Sequence, residues 1–261
     1  MNTDQKNHIN KKLNSFNSHS LSDLKKAELM DRVDTKFIVP IHLLDYIFDK
    51  INRNYTVLEI NSKRIFEYQN TYYDTKDFIF YRNHHNGKLN RFKVRCRNYV
   101  DSDLSFLEVK FKNNKKRTYK TRIKVDHHPN EIIQKSKDFL NNAGITDGHK
   151  LVIVQKSGYH RIAFADEQNA ERLTLDLNLH FSQPHQSNKQ IIGEQVIFEL
   201  KQNKLNRRSS FFDVMRQLGI KPSSFSKYCI GMALTYENKI IRKNNFNKVM
   251  RKISTQAVAE V

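Results

Sequence analysis

Arg91-Phe92-Lys93-Val94-Arg95-Cys96-Arg97-Asn98-Tyr99-Val100 alternates basic and apolar side chains at every second position. In an extended strand this alternation sends Lys93, Arg95 and Arg97 to one face, and Phe92, Val94 and Cys96 to the other. The pattern spreads outward from there. Glu108, Lys110 and Lys112 alternate with Leu107, Val109 and Phe111, and Lys120, Arg122 and Lys124 form a third series. Arg172, Thr174 and Asp176 alternate with Leu173, Leu175 and Leu177, and Glu199 and Lys201 flank Leu200. An ordinary sheet leaves such a charged face in water. Strands of this kind also close into a barrel with the charged set inside. Cations so confined repel one another unless a polyanion lies among them.

The 261 residues carry a formal net charge of +19, with 38% hydrophobic and 11% aromatic residues. A core can form, and the charge favours an anionic partner such as nucleic acid, an acidic membrane surface or phosphate compounds. The two cysteines, Cys96 and Cys229, lie far apart and belong to no metal-ligand pair or disulfide framework. Cys96 is on the apolar phase and is read as core. No stretch is apolar and long enough to span a membrane, and the N-terminus has no hydrophobic signal region, so a soluble cytoplasmic protein is expected.

Residues 1–20 are rich in Asn, Lys, Ser and His and read as a flexible arm. Residues 21–238 read as one domain and 239–261 as a basic tail, solvated or helical. Within the domain, Ser22 begins a short helix reaching Met30, and Arg32 to Val39 is a strand ended by Pro40. Ile41 to Ile51 carries a helical apolar stripe. Strands are expected at Thr56–Ile60, Ile65–Asp74, Arg91–Val100, Ser105–Lys112, Arg117–Val125, Leu151–Ala165, Arg172–Phe181 and Gln190–Lys201. Helices are expected at Glu131–Asn142, Ser209–Leu218 and Ser223–Asn238. Phe78 to Asn83 is a short connector. His84-His85 and His127-His128 fall at turns or strand ends without zinc-like spacing and are read as surface residues. No Gly-rich phosphate loop and no Ser/His/Asp arrangement stands out.

Phosphates are held by Arg forks and Lys point charges, and a linear chain of them needs cations repeated along a path. Adjacent strands, each giving two inward basic residues about 7 Å apart, supply one. Carboxylates in such a cavity hold Mg²⁺ or Mn²⁺ against phosphate oxygens, or orient neighbouring cations. Glu199 is read as the metal ligand. For Glu108 and Asp176 the ion-pair role has equal standing.

Several segments then resemble one family. Arg32-Val33-Asp34-Thr35-Lys36 stands where the triphosphate tunnel metalloenzymes have Glu-x-Glu-x-Lys. Tyr72-Tyr73-Asp74-Thr75, Lys93-Val94-Arg95-Cys96-Arg97-Asn98-Tyr99, Phe106-Leu107-Glu108-Val109-Lys110 and Lys120-Thr121-Arg122 follow in order. So do Tyr159-His160-Arg161-Ile162-Ala163-Phe164, Arg172-Leu173-Thr174-Leu175-Asp176, Phe198-Glu199-Leu200-Lys201 and Phe225-Ser226-Lys227-Tyr228. Together they resemble the vacuolar transporter chaperone (VTC) domain, the polyphosphate polymerase branch of that superfamily, over roughly Glu28 to Tyr236.

The resemblance implies an α+β fold: an antiparallel eight-stranded β-barrel, or tunnel, with flanking helices. It implies a metal-dependent phosphotransferase that moves the ATP γ-phosphoryl group onto a growing polyphosphate chain. Lys36, Arg95, Arg97, Lys110, Arg161 and Lys227 take the catalytic positions. Arg32, Lys93, Lys120, Arg122, Arg172, Lys201 and Ser226 bind substrate, and Glu199 holds Mn²⁺ or Mg²⁺. ATP and polyphosphate are the partners, with a membrane protein partner a further expectation and no specific nucleic-acid recognition. Arg32 departs from the family's first acidic residue, which shifts the site from a metal-rich hydrolase toward anion binding. The competing readings are a tunnel triphosphatase, a non-catalytic binding module for polyphosphate or nucleotide, and a basic RNA-binding protein. The last needs exposed aromatics among the charges, whereas Phe92, Phe106 and Phe111 read as core.

Overall fold

The computed structural model describes residues 3–23, 33–126, 129–186, 188–253 and 255–259. Its strands are β1 (Ser18–His19), β2 (Val33–Pro40), β3 (Thr56–Leu58), β4 (Phe66–Asp74), β5 (Arg91–Tyr99), β6 (Leu104–Lys112), β7 (Thr118–Val125), β8 (Val152–Asp166), β9 (Glu171–Ser182), β10 (Asn188–Ile192), β11 (Gln195–Gln202) and β12 (Thr255–Ala259). The helices are α1 (Thr3–Leu13), α2 (Leu44–Ile51), α3 (Ile79–His85), α4 (Pro129–Lys135), α5 (Lys137–Asn142), α6 (Ser210–Gln217), α7 (Lys227–Thr235) and α8 (Asn247–Met250).

Eight strands run in the order β7-β6-β5-β4-β8-β9-β11-β2, each antiparallel to its neighbour. β9 carries β11 on its first half and β10 on its second. The α+β class and the antiparallel sheet with flanking helices are as expected. Closure is not: among the described residues no pairing joins β2 to β7, so the expected barrel is a curved open sheet. Each edge strand sends its lysine to a carboxylate of its inner neighbour, Lys36 to Glu199 and Lys120 to Glu108, rather than across the seam.

The apolar phase of the strands faces outward, under helices. Phe37, Val39, Leu173, Leu175, Leu177, Phe198 and Leu200 pack with residues of α1, α2 and α6. Val94, Cys96, Leu107 and Val109 pack with Ile133 of α4 and Leu140 of α5. This leaves the charged phase on the concave side. A bulge in β9 divides that side in two. Tyr159 of β8 faces two residues of β9, Asn178 and Leu179, and Asn178 has φ +50°. An extra residue inverts the alternation beyond it. Arg172, Thr174 and Asp176 therefore share the concave side with Leu179 and Phe181, which join Ile38 and Ile197 against Ile230 of α7. The concave face is charged at one end and apolar at the other, where α7 sits.

Other expectations need correction. Of the expected flexible arm over 1–20, residues 3–20 are anchored: α1 buries Ile9 and Leu13, and Phe16 packs on Phe48 and Phe164. Each such side chain contributes about 1.5–3 kcal/mol on burial, which holds a polar helix in place. The expected strand over Gln190–Lys201 is interrupted at Gly193-Glu194, where Glu194 accepts a backbone hydrogen bond from Ile41, so β10 and β11 are separate. Phe78–Asn83 leads into α3, the helix over Glu131–Asn142 breaks at Ser136, and the last domain helix starts at Lys227 because Ser226 caps it. In the expected tail over 239–261, Ile241 and Val249 are buried and β12 pairs with β10. His85 is also buried, hydrogen-bonded to Asn86 and Asn244, and burial with nearby Lys93 lowers His84 to about 2. The helix expected over Ser22–Met30 and the pair His127-His128 lie outside the described residues.

Candidate phosphate-binding cavity

The charged end of the concave face encloses a cavity of about 300 Å³. Nine cations line it: Lys36 from β2, Lys93, Arg95 and Arg97 from β5, Lys110 from β6, Lys120 from β7, Arg161 from β8, Lys201 from β11 and Lys227 from α7. Four carboxylates join them, Asp34, Glu108, Asp176 and Glu199.

Three of those carboxylates each tie two cations. Glu108 receives both Nε (2.8 Å) and Nη2 (2.6 Å) of Arg95 and pairs with Lys120. Asp176 takes the Arg161 guanidinium at two points, 2.6 and 2.9 Å, and pairs with Lys227. Glu199 lies between Lys36 (2.6 Å) and Lys201 (2.8 Å). Burial alone raises a carboxyl. Here the paired cations outweigh it, and all three are held below the usual carboxylate range. They are ionised and committed to orienting cations.

The remaining cation-forming side chains, Lys93, Arg97 and Lys110, have no carboxylate partner among the described residues. Lys93 donates to the Ser226 hydroxyl at 2.9 Å. Arg97 is held by neutral groups, Asn70 Oδ1 at 3.1 Å and the Tyr159 hydroxyl at 2.9 Å. Its guanidinium also lies 5.3 Å from the Tyr68 ring centre, as does that of Arg161. Tyr68 and Tyr159 stack at 5.3 Å, so one aromatic pair braces two arginines, with Lys227 at 4.5 Å from Tyr159. Lys110 makes no ion pair among the described residues. Burial, with Arg95 nearby, pushes its ammonium well below its usual range, so the site gains when an anion enters.

At the boundary with the apolar end, Ser226 caps α7 by accepting from Cys229 N, while Lys227 follows it into the cavity. Tyr228 donates to Asp74, a fully buried carboxylate that also accepts from the Thr75, Phe80 and Tyr81 amides. This fixes the first turn of α7 against β4 and α3.

All six expected catalytic residues meet at the cavity, as do Lys93, Lys120, Lys201, Ser226 and Glu199. Arg122 does not line it; it lies exposed on β7, 4.8 Å over the Phe106 ring. Arg172 sits on β9 opposite Lys201, outside the cavity wall. Arg32 lies outside the described residues. The residues not anticipated are Tyr68, Asn70 and Tyr159, which hold Arg97, and the Asp74–Tyr228 tie. Tyr68 and Asn70 signal themselves only by the strand phase they share with the charged residues, whereas Asp74, Tyr159 and Tyr228 fall inside the family-like segments without a role that the sequence assigns.

Among the described residues no group of three or more His, Cys, Asp or Glu side chains is placed to hold a metal ion. Glu199, engaged by two lysines, fits a divalent cation only as one ligand of an ion whose other positions are filled by phosphate oxygens and water, a common mode for Mg²⁺. Among the described residues no helix is long and apolar enough to cross a membrane.

Fold and cavity define an open antiparallel sheet whose concave face gathers nine cations and four carboxylates around one cavity. The chain belongs to the VTC domain family, whose model matches residues 31–236. No curated protein matches it. Among solved structures it resembles the Hippeastrum adenylyl cyclase candidate HpAC1, described as having a dominant triphosphatase activity, at 13% identity over 80% of this chain and 98% of that one, TM-score 0.53. Adenylate cyclase candidates from Bacillus halodurans (14% identity, 75% and 94% covered, TM-score 0.49) and Vibrio parahaemolyticus (14%, 78% and 99%, 0.48) are also similar. At these identities the likeness to HpAC1 speaks to fold.

Proposed function

We propose that the protein is an ATP:polyphosphate phosphotransferase. It moves the γ-phosphoryl group of ATP onto the end of a polyphosphate chain held in the cavity. One observation carries the reading: beside the three ion-paired clusters, Lys93, Arg97 and Lys110 face the cavity with no carboxylate partner among the described residues. That leaves an unbalanced positive charge spread along the cavity, suited to a linear polyanion rather than a single charged group.

The attacking atom is a terminal phosphate oxygen, ionised near neutral pH. No side-chain base is required, which matches carboxylates already committed to cations. The chain's residues act by positioning and charge. Arg95 and Arg161, locked in their forks, grip phosphate oxygens with fixed geometry. Lys110 and Lys93 answer the charge of the entering anion. Lys227, at the N-terminus of α7, meets the phosphate nearest the helix, where free N–H groups also favour an anion. Glu199 would hold Mn²⁺ or Mg²⁺, which would supply charge neutralisation for the transferring group. ATP supply places this activity in the cytoplasm.

The second reading, a triphosphatase with water as acceptor, is favoured by the activity described for HpAC1. Incubation with γ-labelled ATP and Mn²⁺, followed by gel separation, distinguishes the two. Label in a ladder of lengthening chains supports the polymerase. Label only in orthophosphate rejects it.

A further inference from the structure

We infer that a polyphosphate chain leaves the cavity at the end away from α7, along the basic inner face of edge strand β7 through Arg122 and Lys124. The inference rests on the proposed function for its ligand and adds a direction and a surface.

The α7 end is blocked. Residues Tyr228–Ala233 of α7 are all buried, and Leu179, Phe181, Ile38 and Ile197 fill the concave face around them. The bulge at Asn178 sets this boundary. The opposite end is bordered by β7, whose only strand partner among the described residues is β6. At this edge Lys120 is 34% exposed, against 13% for Lys227 and Arg95 deeper in the cavity.

Lys120, Arg122 and Lys124 share one strand phase, about 7 Å apart in succession. Lys120 lines the cavity and pairs with Glu108. Arg122, one step outward, lies against Phe106 on the same face of β6. Lys124, opposite Phe106 in the register, is exposed. Ile123 and Val125 pack on the outer side, which pins the phase. The three cations therefore continue the cavity's cation path onto the surface. A triphosphate fits inside the cavity and never reaches Lys124; a long chain must pass it.

The test compares binding of tripolyphosphate and of a preformed long-chain polyphosphate, each across a salt series. Lys124→Glu is expected to weaken long-chain binding about fivefold and to flatten its salt dependence, with tripolyphosphate binding unchanged. Arg122→Glu/Lys124→Glu is expected to weaken it about twentyfold, and the milder Arg122→Gln/Lys124→Gln pair, which keeps the strand's polarity if the reversal disturbs folding, to fall between. Unchanged long-chain affinity overturns the inference. So does a matching loss of tripolyphosphate affinity in Lys124→Glu, or a long-chain loss produced instead by Lys239→Glu beyond the far end of α7. Loss of single-stranded RNA binding with polyphosphate binding intact also overturns it. The polymer is supplied ready-made, so a protein that synthesises none still reports on the path.

Discussion

Arg161 and Asp176 stand directly opposite each other in the β8–β9 register and meet in a two-point ion pair of 2.6 and 2.9 Å. Asp176 is 1% exposed and also holds Lys227. It neutralises two cations that the proposed reaction needs in place. Asp176→Asn is therefore expected to destabilise the free protein by about 3–5 kcal/mol, because two buried cations lose their partner. Tripolyphosphate should restore more stability to the variant than to the native protein. Denaturant unfolding with and without tripolyphosphate reads both, and equal stabilisation of the two proteins contradicts the assignment.

Acid should act through the same carboxylates. Glu108, Asp176 and Glu199 have folded-state pKa values below their unfolded values. Their contribution is complete above the unfolded carboxylate range, about pH 4, and is lost as pH falls through the depressed folded values. Urea midpoints measured from neutral to strongly acid pH should be flat and then fall. Glu108→Gln should have a shallower fall.

Lys110 works in the opposite sense. Its ammonium is pushed well below 10.5 by burial, and a bound anion restores it. Tripolyphosphate binding should take up protons at pH values between the depressed and the usual pKa, and affinity should drop as pH rises through that window. Calorimetry in buffers of different ionisation enthalpy measures the uptake. Lys110→Met should reduce it, and an unchanged uptake assigns the proton elsewhere.

Much of the site was readable because it is periodic. Lys93, Arg95 and Arg97 needed only the two-residue alternation, and their apolar partners Val94 and Cys96 appear in the outer core as the pattern requires. Arg122 obeys the same alternation but lies beyond the cavity, since a phase gives a face and not a depth. The Tyr68–Tyr159 stack joins residues distant in sequence, so only the β4–β8 pairing reveals it. The phase inversion at Asn178 depends on one left-handed residue inside a strand, which the run Leu175-Asp176-Leu177-Asn178-Leu179 hides behind unbroken alternation. In α1 the spacing of Ile9 and Leu13 was helical, but an Asn- and Lys-rich composition masked it. Closure failed because an edge strand's pairing depends on the strand across the seam.

Glu199 separates metal chemistry from ion pairing. Glu199→Gln keeps the shape and removes the charge that holds Lys36 and Lys201. Synthesis at saturating Mn²⁺ should fall about a hundredfold or more, while metal-free tripolyphosphate binding persists or tightens. Native turnover at limiting Mn²⁺ reduces Glu199 to an ion-pair partner.

Lys227→Ala should remove most polymer synthesis with a small loss of thermal stability, since Asp176 keeps its two-point contact with Arg161. Melting curves and product gels on the same preparation test this. Undiminished synthesis shows that Lys227 serves only the ion pair.

The central claim is that the acceptor is phosphate and not water. Phosphorus NMR of the purified protein turning over ATP with Mg²⁺ follows both fates in one sample. The account predicts a growing resonance from internal phosphates of a chain, rising in step with ADP. Stoichiometric orthophosphate with no internal-phosphate signal contradicts it.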